Sequence, residues 1–120
     1  MLLVNWLVLC LGAALGAVLR FFLTNLINKR WRYSFPVATF FINMVGAFLL
    51  GLLYAKNHGP DQSILLFMIG IGFLGAFTTF STFTYETAIL LDRRALIASL
   101  SNVLVSVILG LFLAWLATVI

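Results

Sequence analysis

Only three of the 120 residues are acidic, one is cysteine and one is histidine, and charged residues of both signs make up just 8% of the chain. Each scarcity excludes something. A single cysteine forbids an internal disulfide, and this small set of donors cannot build a multi-residue metal centre. A catalyst working in a membrane needs a nucleophile with its base, or a pair of carboxylates, and no such set is present. Enzymes are therefore set aside. A soluble domain carries charge on about a quarter of its residues, so this chain is not one.

What is there is apolar: 64% of the residues are hydrophobic and the mean hydropathy is +1.20. A helix takes about 20 apolar residues to cross a bilayer, so 120 residues allow four or five crossings and leave nothing for a soluble domain. Polar breaks at Asn28 to Ser34, Lys56 to Gln62 and Asp92 to Arg94 divide the chain into four spans, expected at about residues 3–27, 35–55, 63–91 and 95–119. The whole chain reads as one all-α membrane domain. The first apolar run has no basic residues before it and is too long for a secretory signal, so it is expected to remain as a span. Trp31 and Tyr33 sit where an interfacial aromatic belt falls, and Ser34 is placed to cap a second helix with Pro36 in its first turn.

The net charge of +4 comes from seven Lys and Arg at the ends of apolar runs, which anchors and orients rather than binding nucleic acid. Lys29, Arg30, Arg32, Arg93 and Arg94 fall in the first and third connections, and Lys56 alone in the second. That bias favours both termini outside. Gly12 and Gly16 have the G-x-x-x-G spacing of a close helix contact, within the chain or between copies. Cys10 reads as a packed small residue and His58 as a loop residue.

The informative stretch is the third span from Gly70 to Glu86, where every residue from Thr78 to Thr84 is a hydroxyl or a phenylalanine. Gly70, Gly72 and Gly75 followed by β-branched threonines make a poor continuous helix. An interruption in hydrocarbon survives only where it is buried in protein or lines a water-filled cavity. If the helix opens near Gly75 to Thr79, its freed carbonyls favour a small cation and its second half begins with a positive dipole end. The alternative is an unbroken helix whose hydroxyls bond back to the preceding turn.

Phe80 and Phe83 share a helix face and can turn positive ring edges toward an anion, or simply pack. Thr79, Thr82 and Glu86 form a polar line beside them. Asn43 is the other polar residue deep in a span, either interhelical glue or a pathway donor. Arg20, read near the end of its helix, either snorkels to headgroups or lines the mouth of a pathway. Glu86 is a vestibule or interface charge.

The stretch Gly-Phe-Leu-Gly-Ala-Phe-Thr-Thr-Phe-Ser-Thr-Phe at 72–83, with Glu86 after it, resembles the CrcB/Fluc family of fluoride channels. Gly12 to Phe21, ending in Arg20, and Asn43-Met44-Val45-Gly46 with Phe48 and Gly51 resemble the family's first- and second-helix motifs, and the fourth helix is plainly apolar. Ala38 and Ala76 stand where many members carry glycine, and Phe21 where tyrosine is common. The resemblance implies an antiparallel, dual-topology homodimer in the bacterial inner membrane with two fluoride pores, passive export that relieves fluoride toxicity, and a structural sodium ion at the dimer centre. It makes Phe80 and Phe83 the pore rings, Asn43 a pore donor, Ser81 and Thr82 part of a polar track, and Arg20 the pore entrance. Main-chain carbonyls of Gly75 and Thr78 would hold the sodium. An inverted pair supplies the inverted repeat that one chain lacks. A small multidrug exporter shares the size but needs a carboxylate in the first span, and there is none. A non-conducting scaffold would give a broken, hydroxyl-rich helix no purpose.

Overall fold

The computed structural model describes residues 2–56, residue 64 and residues 66–120. The second connection, with His58 in it, and the expected start of the third span at residue 63 lie outside the described residues. The elements are α1 (Leu2–Arg30), α2 (Val37–Lys56), a π-helical segment π1 (Leu66–Leu74), α3 (Gly75–Phe77), α4 (Phe80–Asp92) and α5 (Leu96–Val119). Among the described residues, and counting 68–92 as one span, four helices are long and apolar enough to cross a membrane.

α1 contains no proline and runs three residues past the expected end, with Lys29 and Arg30 in its last turn, where positive charge suits the helix dipole. The Trp31 N–H still reaches the Ile27 carbonyl at 2.9 Å. The Trp31 indole then donates to the Phe35 carbonyl at 2.9 Å and stands edge-on to Tyr33. Ser34 is not the cap of α2. The Pro36 carbonyl accepts from Phe40 N–H at 3.1 Å, so the hydrogen bonding of α2 (Val37–Lys56) begins at Pro36, two residues beyond Ser34. Between α4 and α5 the Ala95 N–H returns to the Leu90 carbonyl and the Arg94 N–H to Leu91, with Arg94 in the left-handed region at φ 57°. This is a Schellman closure.

Glycines decide how the spans meet. A Cβ at Gly12 would strike the Met68 carbonyl oxygen and one at Gly16 the Phe73 carbonyl oxygen, so α1 lies backbone to backbone on π1 within the chain. Gly51 seats α2 on the Ala114 carbonyl of α5 in the same way. Cys10 is exposed, against the packed position expected of it, because it lies two residues, or about 200°, around α1 from Gly12. Outward faces carry apolar residues such as Phe21, Leu100 and Ile108, the surface a bilayer requires. α5 is less plain than its composition: Ser99 and Asn102 are buried.

Candidate functional site

Between α3 and α4 the backbone is extended at Thr78 (φ −75°, ψ 158°) and Thr79 (φ −146°, ψ 116°). Extended residues inside an apolar bundle need partners for their peptide groups, and side chains of other helices supply them. The Asn43 Nδ2 of α2 donates to the Thr79 carbonyl at 3.1 Å, and the Thr79 N–H donates to Asn43 Oδ1 at 2.9 Å. Arg20 Nη1 donates to the Thr78 carbonyl at 3.3 Å. Gly46 makes room, since a Cβ there would strike the Thr78 methyl.

Arg20 differs from the sequence reading. α1 continues ten residues beyond it, to Arg30, so its guanidinium lies at the level of the Thr78–Thr79 pair and not at a helix end. Gly12, Gly16 and Arg20 recur every four residues and so share one stripe facing the third span.

Hydroxyls divide between two uses. Thr79 is the N-cap of α4: its Oγ1 accepts from the Thr82 N–H at 3.2 Å, meets the Thr82 hydroxyl at 3.0 Å and lies 3.4 Å from Ser81 Oγ. Thr84 and Thr87 instead bond back to carbonyls one turn earlier, at Ser81 and Phe83, as hydroxyls in continuous helix do. Thr78 does the same at the end of α3, to the Leu74 carbonyl at 2.9 Å.

The diverted bonds matter for the carbonyls. In an unbroken helix Gly75 and Thr78 carbonyls would receive the N–H groups of Thr79 and Thr82. Those donors go instead to Asn43 Oδ1 and Thr79 Oγ1. The Gly75 α-carbon faces open space, with nothing within 4 Å of a Cβ built there.

Phe80 and Phe83 stand with ring centroids 6.0 Å apart and planes tilted by 37°. Phe80 is 78% exposed and borders a groove of about 320 Å³ with Asn43, Gly46, Gly75, Thr78 and Thr79. Glu86 lies two turns along α4, beside Thr39, with Oε2 buried and unpartnered among the described residues. It borders a second hollow of about 200 Å³ with Asn28, Tyr33, Ser34 and Arg93. The structure thus gathers Asn43, Arg20, Gly75, Thr78, Thr79 and Phe80 about one interruption, with Ser81 and Thr82 at the start of α4. Glu86 belongs to a different hollow.

Sequence reasoning missed Thr87, Ser99 and Asn102. Asn102 Nδ2 donates to Thr87 Oγ1 at 2.8 Å and Ser99 Oγ to the Thr87 carbonyl at 3.1 Å. The signal was the spacing of Ser99, Asn102 and Ser106 along one face of an otherwise apolar helix.

The family described as "CrcB-like protein, Camphor Resistance (CrcB)" matches residues 7–118. The chain is 45% identical over 116 residues, 95% of its own length and 94% of the relative's, to a protein of Campylobacter jejuni named "Fluoride-specific ion channel FluC". It is 44% identical over 115 residues to "Fluoride-specific ion channel FluC 2" of Moorella thermoacetica, covering 92% and 91%. A Listeria monocytogenes protein named "Fluoride-specific ion channel FluC 1" is 49% identical over 86 residues, 72% of this chain and 70% of the relative. With the match running from the first span into the last, this chain belongs to the CrcB family.

Proposed function

We propose that this chain forms a fluoride-selective channel that lets fluoride leave a bacterial cell passively across the inner membrane and so relieves its toxicity. The observation that carries the reading is the extended Thr78–Thr79 pair, tied by Asn43 and opening on a groove bordered by the exposed Phe80. Fluoride is small and strongly hydrated, so a selective path must replace its water with many close donors. Asn43 spends one amide proton on the Thr79 carbonyl and keeps a second for an ion. The Phe80 and Ser81 N–H groups, in the first turn of α4, have no intrahelical acceptor, and the positive end of that helix faces the same place. Ser81 and Thr82 hydroxyls and the edges of Phe80 and Phe83 continue the line. Arg20 adds positive charge beside the pathway, and Glu86 borders the second hollow, toward an outlet.

One copy leaves Phe80 and Gly75 on an open face. An inverted second copy would close it, giving an antiparallel dimer with two pores and the dual topology that such a dimer needs. A sodium ion at the dimer centre would bind oxygen donors, and Gly75 fits, its helical donor being diverted to Asn43. The Thr78 carbonyl fits less freely, because Arg20 already shares it. The ion would supply positive charge that holds the two interruptions together.

Fluoride efflux from liposomes holding the purified protein, followed with a fluoride-selective electrode beside chloride efflux from matched vesicles, tests the reading. Fast fluoride loss without chloride loss is expected. No fluoride loss, with sodium present on both sides, overturns it in favour of a non-conducting membrane subunit.

A further inference from the structure

Resting on the fluoride-channel reading, we infer that Asn102 of α5 is a positioning residue that sets the orientation of Phe80 and Phe83. Its side chain is fully buried two turns into an apolar helix, a costly place for an amide unless it has partners. It has one partner of consequence. Asn102 Nδ2 donates to Thr87 Oγ1 at 2.8 Å, and the Thr87 hydroxyl donates to the Phe83 carbonyl at 2.7 Å. The direction is fixed, because a carbonyl can only accept and an amide NH2 can only donate. Thr87 therefore relays a constraint from α5 to the peptide of Phe83.

Ser99 strengthens the tie by donating to the Thr87 carbonyl at 3.1 Å, so two residues of α5 converge on one residue of α4. At its other end α4 is held through Thr79, its N-cap, by Asn43 of α2. Thr79 and Thr87 are eight residues apart, about 12 Å along a helix, and both phenylalanines lie between them. A helix tied at one end can turn about its axis; tied at both, it cannot. A turn of about 20° would carry a ring lying about 6 Å from the axis through about 2 Å, enough to lose contact with a small ion. The pins belong to different helices, and once the Asn102–Thr87 bond is lost only the Ser99 bond to the Thr87 carbonyl still ties this end of α4 to α5.

Substitutions at Thr87 separate this role from packing. Thr87→Val keeps the shape and loses the hydroxyl, Thr87→Ser keeps the hydroxyl, and Asn102→Leu removes the donor. Each is made in a chain carrying 4-fluorophenylalanine at position 83, and the fluorine NMR line of the purified protein is read beside fluoride efflux from liposomes. Parent and Thr87→Ser should give the same single line. Thr87→Val and Asn102→Leu should shift or split it and slow efflux about three- to tenfold, the scale of one interhelical hydrogen bond. An unmoved line in both, even with a lowered melting temperature, overturns the positioning role and leaves Asn102 as glue. Absence of efflux from the parent instead removes the fluoride reading, and the fluorine line then decides alone whether Asn102 orients Phe83.

Discussion

Asn43 and Thr79 exchange two hydrogen bonds, amide nitrogen to carbonyl at 3.1 Å and backbone N–H to amide oxygen at 2.9 Å. The side-chain amide thus does for Thr79 what a neighbouring strand does for a residue in a sheet. It removes the main obstacle to extended backbone in an apolar bundle, an unpaired peptide that would cost about 1–3 kcal/mol. One residue of α2 thereby sustains the gap between α3 and α4.

Thr79 also caps α4, so its hydroxyl should be felt in stability. Thr79→Val is expected to cost about 1 kcal/mol and Thr79→Ser much less. Thermal unfolding in detergent checks this. A larger loss in Thr79→Ser than in Thr79→Val would mean that the methyl group, not the oxygen, matters.

Gly16 and Gly110 should respond differently to the same added methyl. At Gly16 a Cβ meets the Phe73 carbonyl oxygen and lies 3.0 Å from its carbon, backbone that cannot step aside. At Gly110 it meets the end of the flexible Met44 side chain at 3.4 Å. Gly16→Ala should cost about 1–3 kcal/mol, the usual penalty of overpacking, and Gly110→Ala little. Melting temperatures in the reverse order would contradict the backbone contact of α1 with π1.

Much of this was legible beforehand, for identifiable reasons. Charged and polar residues are so few that the clusters at 28–34 and 92–94 could only be connections, and α2, α4 and α5 begin or end within three residues of them. The run from Gly70 to Thr84 marks the third span because its glycines and hydroxyls crowd into one stretch, which a continuous apolar helix does not call for. Arg20 was misplaced because composition ends the first span at 27, whereas Lys29 and Arg30 cost a helix end nothing and α1 simply continues. Asn102 was overlooked because averaging over α5 hides three polar residues on one face. The exchange between Asn43 and Thr79 was beyond reach, since it joins residues 36 positions apart through a backbone conformation that no local pattern specifies.

Sodium is expected to be needed for conduction if carbonyls such as that of Gly75 hold it between copies. Fluoride efflux with sodium replaced on both sides by N-methylglucamine should fall at least about tenfold and recover when sodium returns, a change of about 1.4 kcal/mol. Equal rates in both media would remove the ion from the functional assembly.

An antiparallel pair requires both insertions, although five Lys and Arg fall in the first and third connections and one in the second. A tag at the C-terminus should be reached by membrane-impermeant reagent from both faces of the membrane, in comparable amounts. Labelling from one face alone would rule out the inverted pair and give the charge bias the decision.

The most direct measurement is the initial rate of fluoride efflux for Asn43→Ala and for Phe80→Ile, each compared with the parent at matched protein content. Asn43→Ala takes both bonds from Thr79 and, on the proposed reading, a donor from the ion, and Phe80→Ile takes an aromatic edge from the groove. Both rates should fall about tenfold or more while the protein still folds, as expected when an ion loses a close donor worth about 1.5–3 kcal/mol. Rates equal to the parent in both variants would show that fluoride does not cross at the Thr78–Thr79 interruption.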